Sequence, residues 1–358
     1  MFRIMRALCI SIGVLLLANV ANGQSIAKPL NFTWEEIYPD KVLTFTWSPD
    51  GEHIAFIDND LQNIHILNVH TKIVERKINL PSPVKDSRTP KFSWSPDGSY
   101  FALAMNGQAY VIDAQNGNIL IDYVNAFDAS SKEYTISNIR WARDSSSVAA
   151  FSYRKFIDVV DIKTGKTLKT IDFHDNRGLP AYAAFDWSPD NSRFAADQNT
   201  LFIGIWDSNG KPIVGHGKED ASKNVKLNCP GIDYETPREI ISLNWSIDSA
   251  SLAVGSDIGL WICKIGEDNM INYKYIDNGV NVSSVWSPDA KWLVTSSISP
   301  IDDLTNKCEL KAFDVKGDYK AQTITVNSTF CAYALSWSPN SQQLAARSEG
   351  HLWLGTKR

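Results

Sequence analysis

A chain of 358 residues, 44% hydrophobic and 21% charged, has the length and apolar content to bury a real core, which excludes the disordered class. Its formal net charge of −5 argues against a general nucleic-acid binder, which carries a basic patch or stripe.

The N-terminus has three parts. Arg3 and Arg6 form a short basic start, Ile10 to Leu17 is an apolar run broken only by Ser11 and Gly13, and small residues follow as far as Gly23. This plan predicts a secretory signal peptide over residues 1–23, with an apolar core too short to span a bilayer. Cys9 precedes that core, so it is not placed to be the acylated cysteine of a lipoprotein. Removing residues 1–23 takes away two positive charges, so the −5 becomes −7, and about 335 residues remain as one domain over 24–358. No later run is long enough to span a membrane, so a secreted or periplasmic mature chain is expected. Cys229, Cys263, Cys308 and Cys331 survive processing, an even number that suits disulfides in an exported chain.

From residue 40 onward one unit recurs seven times. TFTWSPDGEHIAFI, KFSWSPDGSYFALA and AFDWSPDNSRFAAD are three copies, and the seven tryptophans are Trp47, Trp94, Trp141, Trp187, Trp245, Trp286 and Trp337. They are spaced 47, 47, 46, 58, 41 and 51 residues apart, close to the roughly 40–50 residues of one propeller blade. In each copy a β-branched or aromatic strand ends at Trp-Ser, and Pro-Asp-Gly or Pro-Asp-Asn turns the chain. Pro presets φ, Asp bonds its own backbone, and Gly or Asn accepts the left-handed position. A second strand leaves with alternation, and a third ends in an apolar residue and Asp, as in Ile112-Asp113, Val160-Asp161, Trp206-Asp207 and Phe313-Asp314. With a fourth strand, this predicts seven four-stranded antiparallel blades. After Trp337 only three strands fit, so the segment Asn31–Ile37 is expected to supply the outer strand of the last blade and close the ring.

On these repeats the chain resembles the WD-repeat superfamily, and in its Trp-Ser-Pro-Asp-Gly turns the variant common in bacterial envelope propellers. Trp206-Asp207 stands where that family's eponymous dipeptide stands. Ala142-Arg143, Ile247 and Asn340 depart from the turn pattern. The resemblance implies an all-β seven-bladed propeller and leaves the activity open, because the architecture hosts many.

Catalytic motifs are not found. The repeat tryptophans read as blade packing, although twelve Trp would also suit a carbohydrate surface. The six histidines are scattered, with no HExxH and no Cys-x-x-Cys, so neither a metal nor a cofactor is expected. Phosphate-binding glycine patterns and a GxSxG elbow are missing too. Asp58, Asp60, Asp197, Asp257, Asp302, Asp303 and Glu349 fall between second and third strands. They read first as solvated loop carboxylates and second as an acidic collar for a cation or basic partner.

Two insertions stand out, at 215–239 between blades and at 298–307 within blade 6. Both project from the face that carries the inter-blade links, and long loops on a rigid scaffold are where recognition concentrates. The expected function is therefore a monomeric exported scaffold that binds a protein or peptide, with Tyr182, Arg238, Asp302, Asp303 and Tyr333 as candidate contacts. It would be similar in role to the periplasmic propeller of the Tol translocation system, without that protein's separate α/β domain. The alternative is a propeller lyase or hydrolase with Tyr134, Tyr182, Arg238 and Tyr333 at the channel mouth. A Cys308–Cys331 bridge is expected because both positions lie on one face of adjacent blades.

Overall fold

The Trp-Ser-Pro-Asp-Gly turns show why each repeat folds as a hairpin. In the second copy Ser95 Oγ donates to Asp97 Oδ1 at 2.6 Å and accepts the Tyr100 amide at 2.9 Å, while Asp97 Oδ1 accepts the Ser99 amide at 3.0 Å. The serine, not only the Pro-Asp pair, knits the turn. Ser48, Ser95, Ser188, Ser246, Ser287 and Ser338 all occupy this place and are buried. In the last copy Asn340 accepts the Ser338 hydroxyl and the Gln342 amide in the same way, so the Asp-to-Asn departure keeps the geometry and loses the charge.

The structure is a computed structural model that describes residues 29–82, 89–123, 136–152, 156–172, 184–199, 202–214, 240–266, 271–300, 306–326 and 330–358. The N-terminal strand is β1 (Phe32–Tyr38). Blade 1 is β2 (Val42–Trp47), β3 (His53–Asp58), β4 (Asn63–Asn68) and β5 (Val74–Asn79). Blade 2 is β6 (Lys91–Trp94), β7 (Tyr100–Met105), β8 (Gln108–Asp113) and β9 (Ile119–Tyr123). Blade 3 follows as β10 (Ile136–Trp141), β11 (Ser147–Ser152), β12 (Phe156–Asp161) and β13 (Thr167–Asp172). Blade 4 is β14 (Phe185–Trp187), β15 (Arg193–Asn199), β16 (Phe202–Asp207) and β17 (Pro212–Val214). In blade 5 the strands are β18 (Ile240–Trp245), β19 (Ser251–Ser256), β20 (Gly259–Ile265) and β21 (Ile271–Asn278). Blade 6 has β22 (Val280–Trp286), β23 (Trp292–Pro300), β24 (Asn306–Asp314) and β25 (Lys320–Thr323). Blade 7 takes β26 (Ala332–Trp337), β27 (Gln343–Ser348) and β28 (His351–Lys357) from the C-terminus, and β1 completes it.

Each blade is a four-stranded antiparallel sheet, so the chain is an all-β seven-bladed propeller. Strand β1 pairs antiparallel with β28 from Phe32↔Lys357 to Tyr38↔Leu352, and the innermost strands touch in ring order, with β26 against β2 at the seam. The expected closure by an N-terminal strand is what the structure contains. At the insertion expected as a loop at 298–307, the described residues 298–300 and 306–307 are strand: β23 and β24 extend their pairing through Ile298↔Cys308 and Ser299↔Lys307 to Pro300↔Asn306, and 301–305 lie outside the described residues.

The core is divided. Among the described residues there are seven apolar clusters, and each is shared by two adjacent blades. The seam is one of them, with Ile37, Ala345, Leu352 and Leu354 of blade 7 against Val42, Phe45, Trp47, Ile54 and Phe56 of blade 1. Radial sheets converge toward the axis, so the space between them narrows inward. Small residues fill that wedge on the second strands: Ala55, Ala102, Ala149, Ala195, Ala253 and Ala345 are all fully buried. The repeat tryptophans pin neighbouring blades together. The indole N–H of Trp47 donates to the Ser336 carbonyl at 3.0 Å, that of Trp286 to Asn244 at 3.0 Å, and that of Trp141 to Ser93 at 3.3 Å. In each case the acceptor precedes the Trp of the previous blade.

Two outcomes follow from the closure and the turns. Deleting residues 24–40 removes Leu30, Phe32 and Ile37, all buried. At about 2 kcal/mol each this should lower Tm by roughly 10 °C or abolish cooperative melting in a calorimetric scan. An unchanged Tm would refute the seam. The turn carboxylates govern acid stability. Asp50, Asp97, Asp190 and Asp289 are each raised by partial burial, but the donated hydrogen bonds outweigh it and hold them below the ordinary 3.8. Their contribution is present above that value and lost as pH falls through the folded-state values. Replacing all four with Asn, as Asn340 already illustrates, should leave Tm at neutral pH within a few degrees and flatten its fall below pH 4.

Candidate functional site

The mouth of the channel on the inter-blade face is shaped by bulges. In β2, β10, β18, β22 and β26 the pairing with the second strand slips by one residue near the strand start. The extra residues are Leu43, Ser137, Ile241, Val282 and Tyr333, none of which is buried. A bulge re-aims a side chain and frees backbone groups. Tyr333 is 48% exposed, and the freed carbonyl of Leu43 accepts the Arg347 guanidinium at 2.7 Å across the seam.

Charge around the channel is uneven. Lys91 opens β6, Arg140 precedes the repeat Trp of β10, and Arg347 lies on β27 opposite Ala334. Burial, with Arg140 and then Arg347 as charged neighbours, pulls the Lys91 ammonium below its usual range, although its side chain remains open to channel water. Asp186 sits at the matching position of β14. It takes the Arg140 guanidinium at 3.2 Å and the Trp245 amide at 2.8 Å, tying blades 3, 4 and 5 together. Burial pushes this carboxyl up, against the pull of Arg140 and the amide. Three cations and one carboxylate leave a positive arc over blades 7, 2 and 3.

Blades 5 and 6 present a neutral polar arc instead. Asn244 Nδ2 donates to Ser284 Oγ at 3.0 Å, and Ser242 Oγ reaches Asn281 Oδ1 at 3.3 Å. Asn281, Thr295 and Ser297 are buried beside them. Gly255 is required here, because an added Cβ would lie 2.3 Å from Asn281 Oδ1 and 2.4 Å from Ser242 Oγ.

Of the residues expected from sequence to form the site, Tyr333 is at the mouth, beside Arg347. Tyr182, Arg238, Asp302 and Asp303 lie outside the described residues, as do Tyr134, Cys229 and the whole 215–239 link. Tyr333 falls inside β26, not before it, and its exposure comes from the bulge. Cys308 and Cys331 are joined in a disulfide with Cα atoms 5.2 Å apart, linking β24 of blade 6 to the start of β26. Cys263 is buried. One reading needs correction: Asp58 is not a solvated loop carboxylate but a buried group beside His65, with its Oδ2 3.0 Å from Nε2. The charged channel residues carried a sequence signal that motif reading misses. Arg140 and Asp186 hold the position before the repeat Trp, where the other copies have Thr, Ser, Asn or Val.

The opposite, turn-bearing face has a shallow groove between blades 1 and 2, lined by Arg76, Trp94, Asp97, Tyr100, Asp113 and Gln115. Its charges are already engaged. Asp97 serves its turn, Asp113 accepts the Gln115 and Asn116 amides, and Arg76 donates to the Gln115 carbonyl at 2.8 Å.

No protein-family model and no curated protein matches the chain. Solved structures do, in 1602 chains. One is the β-propeller domain of Cps50 (Swd1) from Myceliophteria thermophila, 14% identical, with a TM-score of 0.62 over 90% of this chain and 99% of that one. At that identity the likeness establishes the fold alone, a β-propeller.

Proposed function

We propose that the chain is an exported interaction scaffold of the bacterial envelope or secreted space, binding a protein or peptide partner across the channel mouth on the inter-blade face. The observation that carries this reading is the mouth itself, where bulged Tyr333 stands exposed beside Arg347, with Lys91 a short arc away. Aromatic and Arg side chains are the usual anchors of interfaces, and the arc of cations suits an acidic side chain of the partner. The extended β23–β24 pairing reaches the same face, whereas the described charges in the groove of the turn face are committed to holding turns. Export is supported by the three-part N-terminus and by the Cys308–Cys331 bridge, since disulfides persist in oxidising compartments.

A pull-down from envelope or secreted material, followed by titration of the recovered partner, tests this. Tyr333→Ala and Lys91→Ala should each weaken binding by roughly 30-fold, about 2 kcal/mol, with Tm nearly unchanged. Shortening the 215–239 link and trimming the β23–β24 hairpin should abolish it, because loop length alone alters stability little. Full affinity after both loop deletions and both substitutions would move the site to the turn face or outer rim. A small molecule recovered in place of a protein would favour a channel-mouth enzyme.

A further inference from the structure

The seam between blades 7 and 1 holds a cluster that neither closure nor the channel mouth uses. Asp58 ends β3, His65 lies on β4 opposite Phe56, and Asp60 sits in the hairpin between them. Phe56 and Asp58 are two residues apart on one strand, so Asp58 and His65 share a sheet face. One donor atom from each of Asp58, Asp60 and His65 lies within 4.8 Å of the other two.

His65 is 1% exposed, and among the described residues neither of its ring nitrogens has an aligned hydrogen-bond partner. Nε2 is nevertheless 3.0 Å from Asp58 Oδ2. That combination of close approach and wrong direction is unusual for an imidazole–carboxylate pair. It is ordinary for two ligands of one ion: donors about 2.1 Å from a metal are about 3.0 Å apart at a right angle and about 3.4 Å apart in a tetrahedron. Asp58 and Asp60 each bring a carboxylate oxygen to this same point, a repulsive arrangement that a cation relieves. The surroundings hold the ligands in place. Phe56 stacks on the His65 ring at 5.0 Å, Tyr38 of β1 packs on Phe56 at 4.5 Å, and Tyr38 Oη donates to Asp58 Oδ2 at 3.2 Å. The Asp60 amide donates to Asp58 Oδ1 at 3.1 Å, which fixes the second carboxylate against the first.

We infer that Asp58, Asp60 and His65 form a binding site for a divalent first-row transition ion, which clamps the closing strand of blade 7 to blade 1 through Tyr38. One imidazole and two carboxylates favour an ion such as Zn²⁺ over Ca²⁺, which prefers six or more oxygens. Three protein ligands leave a fourth position for water. Nδ1 lacks the outer partner that ligating imidazoles usually have, which weakens such sites by about 10–100-fold. Lys77, opposite His65, is exposed and can turn its ammonium to solvent.

The test is a calorimetric titration of the purified, tag-free chain with ZnCl₂, read alongside Tm. One Zn²⁺ per chain is expected, with Tm rising by about 4 °C at a hundredfold excess over Kd, and no comparable rise with CaCl₂. Asp60→Asn should weaken Zn²⁺ binding at least tenfold. Asp60 is exposed, so that variant folds even where His65→Gln does not. His70→Ala, which disrupts an exposed pair with Glu52, should change nothing. Absence of binding, undiminished affinity in Asp60→Asn, loss of the site in His70→Ala, or Ca²⁺ binding as tight as Zn²⁺ would each overturn the assignment. Failure of the ion site would leave the channel-mouth reading standing, because that reading is tested with Tyr333→Ala and Lys91→Ala.

Discussion

The pairing of β1 with β28 is the contact on which the whole ring depends. Six blades are made of consecutive strands, whereas the seventh borrows a strand from the other end of the sequence. Without it β28 would be an open edge, and the two terminal blades would have no fixed relation. The cost of that long-range pairing is modest. Closure entropy grows with the logarithm of loop length, so joining Phe32 to Lys357 costs only about 2 kcal/mol more than closing a 47-residue repeat. The seam apolar cluster, the Trp47 indole bond to the Ser336 carbonyl and the Arg347 bond to the Leu43 carbonyl offset it with little help. The disulfide adds a local brace just before the seam. By chain entropy a loop of its 23-residue separation is worth about 3 kcal/mol.

Closure in turn sorts the two faces by task. Once sheets are arranged radially, each apolar face is spent on a neighbour and the centre is left as a channel. The turn face is crossed by bonds between adjacent turns, such as the Asp97 amide to Ser145 Oγ and the Asp190 amide to Ser249 Oγ, which leave it rigid and repetitive. The inter-blade face carries the bulges and the unequal charges. Variation is tolerated there because it does not disturb the wedge packing beneath.

The architecture was legible in the sequence because its signals are local and repeated seven times. Turn chemistry, strand alternation and the spacing of Trp47 through Trp337 each point to the same hairpin, and the three strands left after Trp337 predicted the role of β1. The site was less legible because it depends on residues that stand out only in three dimensions. Lys91, Arg140 and Arg347 come from different blades and different strand positions, and become one arc only when the ring closes. Asp58 looked like a loop carboxylate because a hairpin end in sequence is normally solvated. It is buried because the outer strand of another blade, carrying Tyr38, covers it, a contact no local pattern encodes. Tyr333 lies inside β26, and the bulge that exposes it depends on the register of its neighbour Ala334 with Arg347.

The same geometry connects the two sites at the seam. Asp58 is the register partner of Val42, Leu43 is the next residue and the bulged one, and the Leu43 carbonyl holds Arg347 beside Tyr333. An ion drawing Asp58 and His65 together would act on the β2–β3 pair at the point where the bulge begins, one residue from the carbonyl that orients the arginine. Coupling between the sites would therefore run through two covalent neighbours and one hydrogen bond, with no need for a rearrangement of blades. By linkage it would be reciprocal: whatever factor the ion adds to partner affinity, the partner adds to ion affinity. A rigid ring favours such short-range coupling. Its blades are locked on both sides by shared apolar clusters, and the proposed ion site and the proposed channel-mouth contact approach each other at one bulged strand end.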